Sequence, residues 1–159
     1  MKVLVVYDSV FGNTEKVAQT IGDALRPMAE VEVLRVGDVT PEHLAGLDAL
    51  IVGSPTRAFS ATPAIKQFVG GLPRDSLNGV QVAAFDTRIA VEETGPRFLA
   101  LLVRVFGYAA EPIAKRLQGR GGELGVAPAG FIVKDSEGPL REGELERAAE
   151  WARQVVHPQ

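Results

Sequence analysis

Seven consecutive residues, Asp8-Ser9-Val10-Phe11-Gly12-Asn13-Thr14, carry the clearest chemistry in the chain. They follow a short apolar run, Val3 to Tyr7, and open directly into a segment with helical spacing, so free backbone amides and the positive end of a helix dipole would converge on one spot. Small hydroxyl residues stand at both ends of the loop and a glycine permits a tight turn, a pattern that suits a phosphate monoester. The loop contains no lysine or arginine, which leaves the binding to amides and to the hydroxyls of Ser9 and Thr14. An ordinary capped helix start uses the same residue types, and these residues alone leave both readings open.

Other chemistries find no support. A P-loop needs Gly-x-x-x-x-Gly-Lys-Ser/Thr and a dinucleotide fold needs Gly-x-Gly-x-x-Gly after the first strand; neither is present. The end of the third apolar run carries Gly53-Ser54 where a phosphoacceptor aspartate would stand, and no Gly-x-Ser-x-Gly elbow occurs. With no cysteine, disulfides, thiolate zinc sites, cysteine-ligated clusters and catalytic thiols are excluded. The two histidines, His43 and His157, lack a metal-like spacing.

The elements that must position the loop follow from the hydrophobic pattern. Apolar runs at Val3–Tyr7, Val31–Val36, Leu47–Val52, Val80–Phe85 and Phe131–Val133 alternate with helical patterns, the signature of βαβ units around a parallel sheet. The second run alternates Val and Glu and reads as a half-exposed edge. Apolar residues at Val17, Ala18, Ile21, Ala24 and Leu25 predict a first helix. Thr62-Pro63 predicts an N-cap with proline at the first helical position, and Leu145 to Val156 carries one apolar stripe of a C-terminal helix. The region from Gly95 to Gly119 reads as one long helix or a broken pair, with Gly107 and Pro112 as break points. In such a sheet the ligand sits beyond the carboxyl ends of the strands where the winding reverses, so three loops matter: Asp8 to Thr14, Gly53 to Thr62 and Asp86 to Pro96.

At 159 residues, 46% apolar and 23% charged, the chain is expected to form one domain, residues 1–159, that buries roughly 70% of its extended surface without a disulfide or structural metal. Its net charge of −3 and lack of a basic run give no electrostatic footprint for nucleic acid. The N-terminal apolar run reads as a strand rather than a signal peptide, and the longest apolar stretch, Phe98 to Ala110, is too short to span a bilayer. A cytoplasmic location is the resulting expectation. The segment Phe98–Phe106 is more apolar than a surface helix needs, which makes it a candidate homodimer interface or a lip that touches the membrane near a lipid quinone, with burial on the sheet as the plainer reading.

The segment Val5 to Ala18 resembles the FMN-phosphate loop of flavodoxins, and its Phe-Gly form is closer to flavodoxin-like quinone reductases of the tryptophan-repressor-binding type and to the flavodoxin domain of flavodiiron proteins. Gly53-Ser54-Pro55-Thr56 followed by Pro63 is similar to the second flavin loop of those groups, and Asp86-Thr87-Arg88 stands where the third begins. The resemblance implies a doubly wound five-stranded parallel sheet of order 2-1-3-4-5 with helices on both faces, and FMN as a non-covalent cofactor. Carried over by position, Ser9, Val10, Phe11, Gly12, Asn13 and Thr14 would hold phosphate, while Pro55, Thr56, Arg57, Ala58, Phe59, Asp86, Thr87 and Arg88 would border the isoalloxazine ring. It further implies electron transfer or two-electron reduction of a quinone-type acceptor, with a nicotinamide or protein donor and a redox partner protein or quinone. A flavodoxin fold that has lost FMN and serves as a binding module is the alternative.

Three departures bear on chemistry. Phe11 replaces a hydroxyl residue common in flavodoxins and removes one side-chain contact to phosphate. Residues 54–62 contain no glycine or asparagine, so a positive φ at Arg57, Ala58 or Phe59 would cost of order 1 kcal/mol or more, which argues against stabilising a half-reduced flavin. Arg57 and Arg88 would place positive charge at the ring, favouring the fully reduced anion and two-electron traffic, unless they face solvent or pair with Asp86, Glu92 or Glu93.

Overall fold

The computed structural model describes residues 1–89, 97 and 107–157. The apolar runs form strands β1 (Lys2–Tyr7), β2 (Glu30–Arg35), β3 (Ala49–Pro55), β4 (Gln81–Ile89), β5 (Glu123–Leu124) and β6 (Ala129–Val133), interleaved with helices α1 (Asn13–Leu25), α2 (Pro63–Gly70), α3 (Ala110–Gly119) and α4 (Glu144–Val156). Every strand pairing is parallel, in the order β2-β1-β3-β4-β5, with β6 also paired to β4. This is the expected 2-1-3-4-5 winding with its fifth strand in two pieces. β5 lies against the amino half of β4 (Gln81 opposite Glu123) and β6 against its carboxyl half (Phe85 opposite Ala129). Pro128, just before β6, has no N–H to give a ladder and falls at the interruption.

Strands β1, β3 and β4 are buried along nearly their whole length, because helices cover both faces of the sheet. On one side α1 and α4 bury Val17, Ile21, Leu25, Ala152 and Val155 against the sheet. On the other, α2 and α3 bury Ile65, Val69, Ile113 and Leu117. Phe85, Phe131 and Trp151 meet edge-to-face with centroids 6.0–6.1 Å apart, and the Trp151 indole N–H donates to Ala127 O at 3.0 Å. A side chain on Gly53 would enter the Phe85 ring at 2.0 Å, so this packing requires a glycine at the end of the third apolar run.

Among the described residues the outer edge of β6 carries no further strand beyond the short antiparallel bridge from Val133 to Leu140, where Arg141 N donates to Ile132 O at 2.7 Å. Ile132 N–H donates instead to Glu144 Oε2 at 2.6 Å, and Arg147 donates to both Glu144 oxygens (3.0 and 2.7 Å) and to Gly130 O. Burial works to raise the Glu144 carboxyl, but hydrogen bonds from Arg147 and the Ile132 amide, with the charges of Arg147 and Arg141, outweigh it and hold the group below its ordinary value.

Two element boundaries differ from expectation in ways that matter for the site. β4 continues past Phe85 to Ile89, so Asp86, Thr87 and Arg88 belong to a strand rather than to a loop. The ladder with β6, from Phe85–Ala129 to Ile89–Val133, holds them extended. Pro112 does not break a helix, since it falls in the first turn of α3, where its missing N–H would have no intrahelical partner. Gly107, at φ +74°, precedes that helix. The segment Phe98–Phe106, and with it the candidate dimer interface, lies outside the described residues, as do residues 90–96 of the third loop.

Candidate functional site

β1 is bonded to β2 on one side and β3 on the other, so the chain's winding reverses at β1 and the carboxyl ends of β1 and β3 open onto a crevice. The segment leaving β1 is shaped by its own side chains. Asp8 Oδ1 accepts from Ser9 N at 2.9 Å, and Ser9 Oγ accepts from Gly12 N at 3.1 Å and Glu15 N at 3.4 Å. Gly12, at φ +93°, makes the left-handed turn that starts α1, a conformation costly for other residues. Among the described residues, the amides of Val10, Phe11, Asn13 and Thr14 have no acceptor in the protein. These donors crowd the positive end of α1, and the Ser9 hydroxyl, already accepting twice, keeps its proton to donate.

The second loop leaves β3 at Pro55. Thr56 N donates to Thr87 O at 2.9 Å, fastening it to β4, and Thr62 N donates to Ser54 Oγ at 3.0 Å. Between them Arg57 and Ser60 exchange both backbone hydrogen bonds, at 2.8 and 3.0 Å, around Ala58 (φ +49°) and Phe59 (φ +67°). Two central residues with positive φ make a primed two-residue turn, the kind usually built from glycine or asparagine. The positive φ that the sequence marks as costly at this turn is thus present at Ala58 and Phe59, and the fold already bears that cost.

These elements enclose a cavity of about 290 Å³, near the lower end of the range for small-molecule sites. Ser9, Val10, Phe11, Asn13 and Thr14 line it from the first loop, Pro55, Thr56, Arg57 and Ala58 from the second, and Thr87, Arg88 and Ile89 from β4. Val133 and Ser136, beyond β6, add a wall the three-loop reading did not contain. The Thr14 and Thr87 hydroxyls meet at 2.8 Å, joining α1 to β4. Phe11 is half exposed, with the Arg57 guanidinium 5.6 Å from its ring centroid. A larger apolar concavity of about 530 Å³ lies between residues 39–45 and the carboxyl end of α2, at the opposite end of the sheet.

Of the residues expected at the site, Gly12, Phe59 and Asp86 do not line the cavity. Asp86 is fully buried beneath it. Arg88, two residues on and so on the same face of β4, binds it bidentately, Nε to Oδ1 at 2.6 Å and a terminal nitrogen to Oδ2 at 2.8 Å. Ala110 N, at the start of α3, also donates to Oδ2 at 2.9 Å, and the Arg88 guanidinium stacks on Tyr108 at 3.7 Å. Burial pushes the Asp86 carboxyl above its ordinary value, with Arg88, the Ala110 amide and the Thr56 hydroxyl opposing it. Arg88 therefore brings an ion pair rather than a bare positive charge to the cavity, which corrects the charge argument made from sequence.

Sequence reasoning missed Arg35. From the end of β2 it donates to Ser9 O at 3.0 Å and Asp8 Oδ1 at 3.3 Å, supplying to the first loop a cation that the loop itself lacks. Its signal was available, since parallel pairing sets Arg35 opposite Tyr7, the last residue before the loop.

A doubly wound sheet with unpaired amides and hydroxyls gathered where the winding reverses is the architecture of flavodoxin-like proteins. Residues 4–105 match the flavodoxin domain family, and the chain belongs to it. It is 38% identical to a flavodoxin of Aquifex aeolicus, over 42% of this chain and 37% of that protein. It is 28% identical to an NAD(P)H dehydrogenase (quinone) of Archaeoglobus fulgidus over 84% and 88% of the two chains. Among solved structures, oxidised flavodoxin 1 of Bacillus cereus superposes with a TM-score of 0.77 at 19% identity, covering 100% of this chain and 99% of that one. Rubredoxin oxygen:oxidoreductase of Desulfovibrio gigas superposes with a TM-score of 0.71 at 21% identity, covering 98% of this chain and 35% of that one. The flavodoxin family is an FMN-binding family.

Proposed function

We propose that the chain acts as a single FMN-binding redox domain that passes electrons to a partner protein or reduces a quinone-type acceptor by two electrons. The observation that carries this reading is the set of unpaired amides at Val10, Phe11, Asn13 and Thr14, which open onto a cavity at the winding reversal. Amides without protein acceptors at the start of a helix form an anion-binding site, and a phosphate monoester takes several of them at once. Residues 9–14 would hold the phosphate. Pro55 to Ala58 with Thr87 and Arg88 would border the flavin, and Asp86 would act from beneath by fixing Arg88. When bound, FMN supplies the electron chemistry.

The protein's own contribution is to orient and to set charge. Arg35 holds the Ser9 carbonyl and Asp8, keeping the cradle formed before a ligand arrives. Arg57 stands over Phe11 at the cavity, the one loop cation near it without a carboxylate partner among the described residues. Relatives named NAD(P)H dehydrogenase (quinone) support a nicotinamide donor and quinone acceptor. No helix among the described residues is long and apolar enough to cross a membrane. A cytoplasmic location is part of the proposal.

Reconstitution tests the reading. The protein mixed with FMN and freed of excess should be yellow and quench flavin fluorescence stoichiometrically; a colourless protein that FMN cannot restore would leave a binding module without the cofactor. Anaerobic titration with dithionite then separates the two activities. Direct passage of the spectrum from oxidised to fully reduced flavin marks the two-electron quinone reductase, and accumulation of a one-electron species marks the carrier.

A further inference from the structure

We propose that Asn13 is a positioning residue, which straps the loop after β6 onto the start of α1 so that the Ser136 hydroxyl serves as a further binding group for the oxygen-bearing chain of the cofactor. The inference rests on the FMN reading above.

Asn13 stands at the first position of α1, where an amide side chain would be expected to reach toward a bound anion. Its side chain is instead engaged elsewhere. The residue is only 8% exposed, and Nδ2 donates to Glu137 O at 3.1 Å, across 124 positions of sequence. Gly138 packs against the same amide. It holds φ +106°, and a Cβ there would fall 2.6 Å from Asn13 Oδ1 and 2.9 Å from Nδ2, so the contact demands a glycine on the loop side as it demands an amide on the helix side.

The strapped loop is built before it is tied. Lys134 N donates to Pro139 O at 2.9 Å, Gly138 N to Asp135 O at 3.0 Å and Ser136 N to Asp135 Oδ1 at 2.7 Å, and Val133 bridges back to Leu140. A loop closed by its own hydrogen bonds moves as a unit, and Asn13 is its side-chain tether to the first loop among the described residues. Val133 and Ser136 both line the cavity. Val133 offers an apolar wall, whereas Ser136 brings a hydroxyl, which suits a phosphoryl or sugar oxygen rather than an aromatic ring.

The test uses the full chain freed of flavin, titrated with FMN and separately with riboflavin by fluorescence quenching. Asn13→Leu keeps the branched shape of the side chain and removes the donor; Ser136→Ala removes the hydroxyl. Each is expected to weaken FMN binding about three- to ten-fold, the range for loss of one hydrogen bond. The double variant is expected to bind no more than about two-fold worse than Asn13→Leu alone, because a released loop no longer presents Ser136. If Ser136→Ala weakens FMN but not riboflavin, the hydroxyl serves the phosphoryl group; if both weaken equally, it serves the sugar chain. Gly138→Ala attacks the same contact from the loop side, should reproduce the loss, and stands in for Asn13→Leu should that variant fail to fold. Multiplicative losses in the double variant, or an unchanged affinity in Ser136→Ala, would overturn the proposal while wild-type FMN binding leaves the functional reading standing. Failure of the wild type itself to bind FMN would overturn both.

Discussion

Replacing Arg88 by methionine should expose how much the ion pair beneath the cavity contributes to the fold. The substitution keeps a flexible apolar stem against Tyr108 and leaves Asp86, with no exposed surface, facing Ala110 N and the Thr56 hydroxyl among the described residues. Two opposite charges about 4 Å apart at an effective dielectric near 20 attract by about 4 kcal/mol. Removing one member of a buried pair costs about 3–5 kcal/mol in practice. Arg88 is one-fifth exposed and the carboxylate keeps two donors, so the lower part of that range, about 3 kcal/mol, is expected at neutral pH. For a chain of this size that lowers Tm by about 6–12 °C. The sign with pH is fixed. The Asp86 carboxyl lies above its ordinary value when folded, so its burial weakens the fold as pH rises, and without Arg88 the carboxyl climbs further. Urea unfolding followed by Trp151 fluorescence should show the two proteins converging as pH falls and drawing apart as it rises. The double variant Asp86→Asn/Arg88→Met should recover at least half of the loss, since no charge then remains buried. A difference below about 1 kcal/mol at neutral pH, or one independent of pH, would refute the reasoning.

Other perturbations follow from the same contacts. Thr14→Ala removes the hydroxyl partner of Thr87 and one wall of the phosphate cradle, and should weaken FMN binding by about 1–3 kcal/mol, read as a dissociation constant. Gly130→Ala sets a Cβ 2.0 Å from Arg88 Nε, displacing the guanidinium from Asp86; thermal unfolding should show a loss comparable to that of Arg88→Met, and an unchanged Tm would mean the guanidinium has another resting place. Glu144→Gln keeps an acceptor for Ile132 N but loses charge toward a half-exposed Arg147, for an expected cost of about 1–2 kcal/mol near neutrality. Because the folded Glu144 carboxyl lies below its ordinary 4.5, its stabilisation is complete above that pH and lost as pH falls through the folded value. Acid titration of stability should therefore be shallower for the glutamine variant.

Much of this architecture could be read from the sequence because parallel strands buried on both faces leave continuous apolar runs, and because Thr62-Pro63 and the Gly12 turn each mark a helix start. Local pattern says less about where a strand ends. β4 outlasts its apolar stretch because the ladder to β6 holds Asp86, Thr87 and Arg88 extended, and that partner lies more than forty residues away. The site was legible to the same degree. The first two loops declare themselves by type and order, while Ser136 and Val133 reach the cavity only through the tertiary path of a loop at the far end of the chain. The pairing of Arg88 with Asp86 was among the sequence alternatives. What decided it was burial, since a carboxylate sealed under the site has a far greater need of a counter-ion than an exposed one.

The sealed edge at β6 has a consequence for how copies of this protein meet. A sheet with an open edge invites a strand from another molecule, the route to fibrous aggregation. Here an incoming strand would have to expel Glu144 from Ile132 N, Arg141 N from Ile132 O and Arg147 from Gly130 O before finding a free backbone group on that side. The opposite edge, β2, bears the charged side chains Glu30, Glu32 and Arg35 at its exposed positions, which an added strand would have to accommodate. One flank of the sheet is thus closed by an ion pair and a returning segment of chain and the other carries charged side chains, and strand addition is opposed at both.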